Sequence, residues 1–533
     1  SAPAPFSFLS GYKLRGKLVE VLDVPDAALR AALATPGLFL DSGGAAGAES
    51  GHARTAALAR SLIDAGMHRV AWLPPSRPGH VLGGPFAALG DAARTKRLLF
   101  SSWRMVPRAV STVLDGLLSA AQQREFGEPA AQRHKETDGD YLLGYPSAVL
   151  ADLGHPDRWA AACEAEGVTP TVEVLIERLM PAVGRLMDEV ESRYGSEVQG
   201  AEDHAWYWMG PALADAIAWE RRHTSEDDEA FWPFELQELE AERDGEPLWA
   251  REGMAARRTL WDALCAGDTR LGKRPADLIP VLCCLALGSP AVCALRALAE
   301  EPSQHWNEDH RQAASGVAAA LLHYLGHEQT VQMLAGLYPE ERSFATRVLR
   351  HASDGGLQAV LDEYLAVLDV DQPLGPEQAA GSLIGLEARL AQMEVALRLR
   401  PAVLRPEVLR QDEDGAWRLV PQARSLRLAR PLLEDGGDGD EHDGPTAMTQ
   451  LRAAFNSPFL PFVLSSTSIG QEGLDFHWYS HAIVHWNLPT SPVDFEQRDG
   501  RIHRFRNHAV RRNLARDWGS TALHEVPGRA GWD

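Results

Sequence analysis

Apolar positions along this chain follow two distinct spacings. Three short apolar runs, at residues 98–100, 462–464 and 482–486, have the length and composition of buried β-strands. Over residues 357–368 and 383–397, apolar side chains instead recur every three or four positions, which predicts helices with one buried face. We therefore expect an α/β protein whose strand-forming parts are separated by a long, mainly α-helical stretch.

The apolar run at 462–464 leads into a segment rich in hydroxyl groups and glycine. The residues concerned are Ser465, Ser466, Thr467, Ser468 and Gly470, after which Gly473 and Asp475 close the turn. Hydroxyl groups and an open backbone at the end of a strand allow close approach to phosphate groups. Taken alone, such a segment is more often simply a turn.

A helix start is well marked after the run at 482–486. Ser491 is suited to the cap of this helix and Pro492 to its first position. Asp494 lies three residues beyond Ser491, as in a capping box. The sequence therefore predicts that a helix begins at residue 492.

Arginines accumulate on this predicted helix. Gln497, Arg501 and Arg504 are separated by four and then three residues, so we expect them on one helix face and directed at a common polyanion. Arg498 is expected to be solvated. Taken alone, an arginine-rich helix is usually a solvated face.

The order of these segments is more informative than either alone. TSIGQEGLD at 467–475, followed by QRDGRIHR at 497–504, resembles the fifth and sixth conserved motifs of superfamily 2 helicases and translocases, closest to the chromatin-remodeller-like branch. RLLFSS at 97–102, with Trp103 and a predicted helix to about residue 118, is similar to the fourth motif. The resemblance implies a second RecA-like lobe, a parallel sheet interrupted by a large helical insertion.

The resemblance also implies roles for single residues. Arg501 and Arg504 would be arginine fingers that neutralise charge on the transferred phosphoryl group, and Gln497 would couple the ATP cleft to the bound strand. The remaining implied contacts are with the ATP cleft for Gly473 and Asp475, and with the nucleic-acid backbone for Ser102, Thr467 and Ser468. No metal-ligating residue is assigned.

The motifs of a first lobe are missing from this sequence. A phosphate loop ending in GK[ST] and an acidic Mg²⁺ box are required for ATP hydrolysis in this class. Near matches at 11–18 and 267–274 lack the metal-binding hydroxyl. We expect ATP and Mg²⁺ to be bound mainly by a first RecA-like lobe outside this chain, and the chain alone to be inactive.

A different class of function remains open. In this alternative the chain is a non-catalytic scaffold, in which a helicase-like lobe carries a helical insertion that binds a partner protein. A bacterial defence or restriction role is a further expectation, by analogy with similar large helicases. The presence of both finger arginines favours catalysis within a complete motor.

Five segments are predicted along the chain. They are a connector from the first lobe (1–76, with a strand at 68–73), the first part of the lobe (77–126), the helical insertion (127–434), an acidic glycine-rich linker (435–445) and the second part of the lobe (446–533).

Charge and composition limit the partners. The net charge of −22 over 533 residues argues against a protein that binds nucleic acid over most of its surface. A local basic strip is the exception, containing Arg498, Arg501, Arg504, Arg506, Arg511, Arg512 and Arg516 with His503 and His508. The expected partner is nucleic acid, double-stranded DNA by the resemblance. Without a long apolar run or a secretory signal, we expect a cytoplasmic protein with no membrane partner.

Overall fold

A computed structural model of the chain describes most of its length. The described residues are 2–22, 27–33, 35, 37–40, 52–130, 133–134, 141–196, 200–223, 231, 233, 251–375, 382–413, 416–432, 445–467 and 474–525.

Helices make up most of the described structure. In chain order they are α1 (Lys13–Leu22), α2 (Ala27–Leu33), α3 (Ala53–Asp64), α4 (Gly84–Ala87), α5 (Met105–Phe126), α6 (Tyr141–Gly144), α7 (Ala148–Leu153), α8 (Pro156–Ala165), α9 (Val172–Tyr194), α10 (Trp206–Arg222), α11 (Arg251–Ala266), α12 (Leu278–Gly288), α13 (Pro290–Leu298), α14 (Glu308–Leu325), α15 (Glu328–Leu337), α16 (Phe344–Asp354), α17 (Leu357–Asp371), α18 (Leu383–Leu397), α19 (Pro445–Phe455), α20 (Pro492–Asp499) and α21 (His508–Glu525). The strands are β1 (Lys96–Ser101), β2 (Ala402–Leu404), β3 (Glu407–Gln411), β4 (Trp417–Pro421), β5 (Arg424–Leu426), β6 (Ala429–Pro431), β7 (Val463–Thr467) and β8 (Ser480–His485).

The chain divides into two compact units. The first contains residues 1–73, 88–128 and 398–513, and the second contains residues 74–87, 129–397 and 514–533. The first unit holds the parallel sheet and the second is helical, so the α/β class predicted from the sequence is confirmed.

The sheet of the first unit has four parallel strands in the order β6-β7-β1-β8. β1 pairs on one side with β7, where Ser101 lies opposite Thr467. On its other side β1 pairs with β8, where Phe100 lies opposite His485. Because all four strands run the same way, the segments that follow them meet at one edge.

Apolar side chains from distant parts of the chain cover this sheet. The core contains Leu98, Phe100, Leu432, Leu451, Phe455, Leu464, Phe476 and Ile502, each under a tenth exposed. Helix α5 packs on β6 and β7. Burial on both faces explains why the strands are short apolar runs without alternation.

A buried carboxylate fixes α5 to the start of β6. Oδ1 of Asp115, a residue 4% exposed, accepts hydrogen bonds from the backbone N–H groups of Arg427 (2.9 Å), Leu428 (2.7 Å) and Ala429 (3.2 Å). Burial raises the pKa of Asp115 to about 6, although these hydrogen bonds oppose the shift.

Residues 398–432, assigned to the helical insertion by the sequence analysis, lie in the first unit and form β2 to β6. Helix α1 packs on the hairpin of β3 and β4, where Arg15 and Glu407 form an ion pair at 2.5 Å. These strands are three to five residues long and several are half-exposed. A run that short shows no usable periodicity, which is why the pattern of apolar residues missed them.

The prediction of a strand at 68–73 is wrong. A 3₁₀ turn occupies Met67–Arg69, and the buried residues that follow join no sheet. Leu73 makes one strand-like contact, in which its N–H donates to the carbonyl of Pro458 at 2.9 Å. Pro74 and Pro75 come next and have no N–H to extend a ladder.

The second unit is built from helices, among them α14, which packs on both α13 and α18. The apolar stripe predicted over 357–368 is buried in α17. Residues 77–87, predicted to belong to the lobe, lie in this unit. The segment 74–87 is held there by Glu363, which accepts from Ser76 N and Oγ at 2.7 Å, and by Asp157, 3.3 Å from Arg77.

Two further sequence predictions concern the linker and the membrane. Apart from Pro445, the acidic linker at 435–445 lies outside the described residues. Within the described chain, no single helix has the length and hydrophobicity to span a membrane, and only the bent pair Leu278–Gly288 and Pro290–Leu298 passes that test together.

Replacing Asp115 separates the loss of an acceptor from the loss of a charge. Asp115→Ala leaves three N–H groups, two of them in buried residues, without their acceptor, so we expect the free energy of unfolding to fall by about 3 kcal/mol or more. Asp115→Asn keeps an oxygen there and should cost less than about 1 kcal/mol. Urea denaturation at pH 7 measures both, and equal losses would contradict the role given to Oδ1.

The same residue predicts a pH dependence. The pKa of Asp115 is raised from 3.8 to about 6 in the fold, so between these values the folded chain binds the proton more tightly than the unfolded chain. This contribution to stability should fall as pH rises through that window. Subtracting the Asp115→Asn curve from the wild-type curve isolates it, and a difference that rises with pH would refute the assignment.

A close helix contact in the second unit gives another test. A Cβ atom at Gly154 would lie 2.6 Å from the carbonyl oxygen of Ala286 in α12, whereas one at Gly184 in α9 would meet nothing within 4 Å. We expect Gly154→Ala to destabilise the protein by about 1–3 kcal/mol. Gly184→Ala should stabilise it by about 0.5–1 kcal/mol, because alanine favours helix. Thermal unfolding compares them, and a neutral Gly154→Ala would contradict the packing.

Candidate nucleotide and nucleic-acid site

Polar side chains gather at the carboxyl edge of the parallel sheet. Ser101 ends β1, Thr467 ends β7, and Asn487 lies two residues beyond the end of β8. The pairing of Ser101 with Thr467 places the ends of β1 and β7 side by side. Ser102 and Thr467, both predicted to contact nucleic acid, are therefore at the same edge.

A hydrogen-bond network joins the ends of β1 and β8. Oδ1 of Asn487 accepts from the backbone N–H of Ser102 and from the hydroxyl of Ser101, both at 2.9 Å. Nδ2 of Asn487 donates to Oγ of Ser102 at 2.8 Å. Ser102 itself is exposed, so this network fixes a hydroxyl group at the surface of the edge.

Arg498 belongs to the same network, and the expectation that it is solvated is wrong. It is 3% exposed, and its guanidinium lies 5.7 Å from the centroid of the Phe100 ring. Its Nη1 donates to the carbonyl of Asn487 at 3.0 Å and its Nη2 to Oγ of Ser102 at 3.2 Å. Burial lowers the pKa of Arg498.

The helix that carries Arg498 starts as predicted and ends sooner. Oγ of Ser491 accepts from the N–H of Val493 at 3.2 Å and Pro492 occupies the first turn. Helix α20 then ends at Asp499, and the N–H of Arg501 bonds the carbonyl of Arg498 in a tighter turn. Gln497 therefore lies on the helix and is exposed, whereas Arg501 and Arg504 lie beyond it. The prediction of one shared helix face is wrong.

The two arginines nevertheless meet the end of the hydroxyl-rich segment. Nη1 of Arg501 donates to the carbonyl of Leu474 at 3.2 Å. Nε of Arg504 donates to Oδ1 of Asp475 at 3.0 Å, in an ion pair with side chains 48% and 31% exposed. These contacts join Arg501 to a residue 27 positions earlier in the sequence, and Arg504 to one 29 positions earlier. Gln497 makes no such contact in the described structure.

The turn with these arginines is held to the body of the first unit. Ile502 is buried in the sheet core, and the N–H of Phe476 donates to the carbonyl of Arg501 at 3.0 Å. Asn507 accepts from the N–H of Val510 and donates to the carbonyl of Arg504. The backbone of the turn is therefore fixed, while the Nη groups of Arg504 make no hydrogen bond within the described residues.

The predicted basic strip is smaller than the sequence indicates. His508 is buried, with a ring nitrogen 3.0 Å from that of His481. Burial lowers the pKa of His481 to about 4 and also lowers the pKa of His508 well below its usual value, so both are neutral at pH 7. Arg511 is also buried and donates to the carbonyl of Trp478. These groups stabilise the fold and leave the charge of the turn to its exposed arginines.

Several predicted site residues lie outside the described structure. Ser468, Gly470 and Gly473 belong to residues 468–473, which connect Thr467 to Leu474. Their implied contacts with the strand and the ATP cleft stay predictions.

The structure adds Asn487 to the site, and Arg54 lies close by. Nη1 of Arg54, in α3, donates to the carbonyl of Trp486 at 2.5 Å, and the ring of His52 stacks on that of Trp486. The sequence signal for Asn487 was its position just after the apolar run at 482–486, because a polar residue there reaches the carboxyl edge of a parallel sheet. Arg54 had no comparable signal.

The acidic groups of the described chain do not form a metal site. Asp475 is ion-paired with Arg504, and no group of three or more His, Cys, Asp or Glu side chains in the described parts is arranged to hold a metal ion. The described residues therefore do not fit Mg²⁺. Comparisons of the chain with models of protein families, with curated proteins and with solved structures gave no match.

Proposed function

We propose that this chain supplies the second RecA-like lobe of an ATP-dependent helicase or translocase that acts on double-stranded DNA. The observation that carries the proposal is the meeting of Arg501 and Arg504 with residues 474–475, in the segment that follows β7 of the parallel sheet. In open parallel sheets, ligands bind beyond the carboxyl ends of the strands. Two guanidinium groups there suit a phosphate chain.

Each arginine would act on charge that develops during phosphoryl transfer. Arg501 is held by one Nη group and Arg504 by Nε, so each retains N–H donors. Guanidinium groups fixed in advance stabilise negative charge without reorganising at the moment of reaction. The fixed backbone of the 500–507 turn provides that preorganisation.

ATP would enter between this lobe and a first lobe that carries the phosphate loop. Mg²⁺ would neutralise charge on the phosphates, and the side chains described here hold no site for it. The contribution of this chain would then be arginine donors to the nucleotide and the hydroxyl groups of Ser102 and Thr467 to the DNA backbone. Gln497 would act between these two sets.

One observation favours the alternative of a non-catalytic scaffold. The ion pair of Arg504 and Asp475 needs no nucleotide, as in a purely structural salt bridge. With both side chains about a third or more exposed, however, such a pair is worth at most about 1 kcal/mol. A structural role of that size does not account for a second arginine held against the same segment.

The arginine assignment is tested in the complete motor that contains this chain. Arg501→Ala and Arg504→Ala should each lower DNA-stimulated ATP turnover by roughly 10³-fold or more, because each removes a transition-state charge partner. The KM for ATP should change much less. Steady-state phosphate release measures both quantities.

Arg418→Ala is the matched control. Arg418 lies on β4 of the same unit, outside the basic strip, and is 71% exposed, paired with Asp412. Its loss should leave turnover unchanged. Near-normal turnover of Arg501→Ala and Arg504→Ala would exclude these residues as fingers and favour the scaffold.

A further inference from the structure

The orientation of the Asn487 amide is fixed by its neighbours. The backbone N–H of Ser102 can only donate, so the group it meets at 2.9 Å must be the amide oxygen. The hydroxyl of Ser101 donates to the same oxygen. The amide NH₂ group is thereby directed at Oγ of Ser102, to which it donates at 2.8 Å.

Both lone pairs of the Ser102 hydroxyl are in use. One accepts from Nδ2 of Asn487 and the other from Nη2 of Arg498, at 2.8 and 3.2 Å. A serine hydroxyl has two acceptor lone pairs and one proton. The proton is the remaining hydrogen-bonding capacity of this exposed residue, and the two donors to Oγ require it to point away from them.

We propose that Asn487 and Arg498 are positioning residues that make Ser102 a dedicated hydrogen-bond donor to a phosphate oxygen of bound DNA. The inference rests on the proposed function, and it assigns roles to two residues for which the resemblance implies none. A phosphodiester oxygen is the matching ligand, since it accepts hydrogen bonds and has none to donate. The contact would position the duplex without reading its sequence.

Arg498 acts through Ser102 and does not touch the DNA. Its side chain is 3% exposed, one Nη group is bound to the carbonyl of Asn487, and its guanidinium lies over the Phe100 ring. A cation enclosed in this way releases no counterion when DNA binds. It therefore differs from an arginine that contacts phosphate directly, and the salt dependence of binding separates the two.

A double-mutant cycle on the purified chain tests the positioning of Ser102. Fluorescence anisotropy with a short labelled DNA duplex gives the affinity of the wild type, Ser102→Ala, Asn487→Ala and the double variant. Each single variant should bind about tenfold more weakly, as expected for a lost hydrogen bond to a charged group. The double variant should bind no more weakly than Ser102→Ala, because Asn487 acts only through that hydroxyl.

A structural effect of Asn487→Ala would appear differently. Loss of folding shows in the circular dichroism melt, and a distorted edge would weaken binding equally in the wild-type and Ser102→Ala backgrounds. Additive losses in the cycle overturn the positioning role. If Asn487→Ala lowers the melting temperature too far for the cycle, Asn487→Asp replaces it. The new carboxylate accepts the Ser102 proton, so this variant should also bind DNA more weakly than the wild type. That loss of affinity should disappear in the Ser102→Ala background.

The salt dependence tests Arg498. Arg498→Gln should weaken binding about as much as Ser102→Ala while leaving the slope of log affinity against log salt concentration unchanged. A slope smaller by about 0.9 would show that the guanidinium neutralises a phosphate itself, which contradicts the inference.

Two measurements show whether Ser102 binds the phosphate of DNA or of a nucleotide, and which of the two proposals a negative result contradicts. Binding of inorganic triphosphate, measured by calorimetry, should be the same for the wild type and Ser102→Ala. A loss confined to triphosphate would assign Ser102 to the nucleotide and overturn the DNA contact. A wild-type chain with no salt-dependent duplex binding would contradict the proposed function itself, whereas normal binding by all four variants would contradict only the roles of Ser102, Asn487 and Arg498.

Discussion

The parallel pairing of β1 with β7 and β8 is the constraint on which the candidate site depends. Ser101 lies opposite Thr467 and Phe100 opposite His485, so residues more than 360 positions apart share one sheet edge. Parallel strands need long crossover connections, and here the connection from β1 to β7 includes residues 129–397 of the helical unit. The placement of Ser102 beside Asn487 follows from this register, because it brings the ends of β1 and β8 together. The contacts of Arg501 and Arg504 with residues 474–475 are separate tertiary contacts.

Polar groups at this edge serve two purposes. The amide of Asn487 and the two Nη groups of Arg498 are bonded internally and fix geometry, while Ser102 keeps its hydroxyl proton available as a donor. Arg501 and Arg504 keep donors available in the turn beyond α20. Burying a guanidinium is costly unless its N–H groups are bonded, and both Nη groups of Arg498 are bonded, one to a carbonyl and the other to a hydroxyl. A rigid, donor-rich edge is what a lobe that holds phosphates requires.

The sequence predicted the parts of this architecture that depend on local chemistry. The strands near Leu98, Val463 and Ala482 and the helix start at Ser491 come from apolar runs and capping residues, and all are present. β6 has three residues and is recognisable only by its pairing with β7. A prediction from periodicity could not find it, because the signal lies in a distant strand.

The arginines show the same limit at the level of side chains. Spacing placed Arg501 and Arg504 on a helix with Gln497, but Gly500 ends that helix and the chain turns so that Ile502 enters the core. Arg498 looked like a solvated neighbour because its partners, Asn487 and Ser102, follow the ends of two strands, one of them far away in the sequence. Local patterns identified the residue types at the site, and tertiary contacts decided which of them face outward.

The central claim is that the turn with Arg501 and Arg504 faces the nucleotide and that the sheet edge at Ser102 and Thr467 faces DNA. A cryo-electron microscopy structure of the proposed complete motor with a DNA duplex and a non-hydrolysable ATP analogue tests it most directly. The account predicts the guanidinium groups of Arg501 and Arg504 within hydrogen-bonding distance, about 3 Å, of the terminal phosphate, and the Ser102 hydroxyl at the same distance from a backbone phosphate of the duplex. A nucleotide bound away from both arginines, with DNA contacting neither Ser102 nor Thr467, would contradict it.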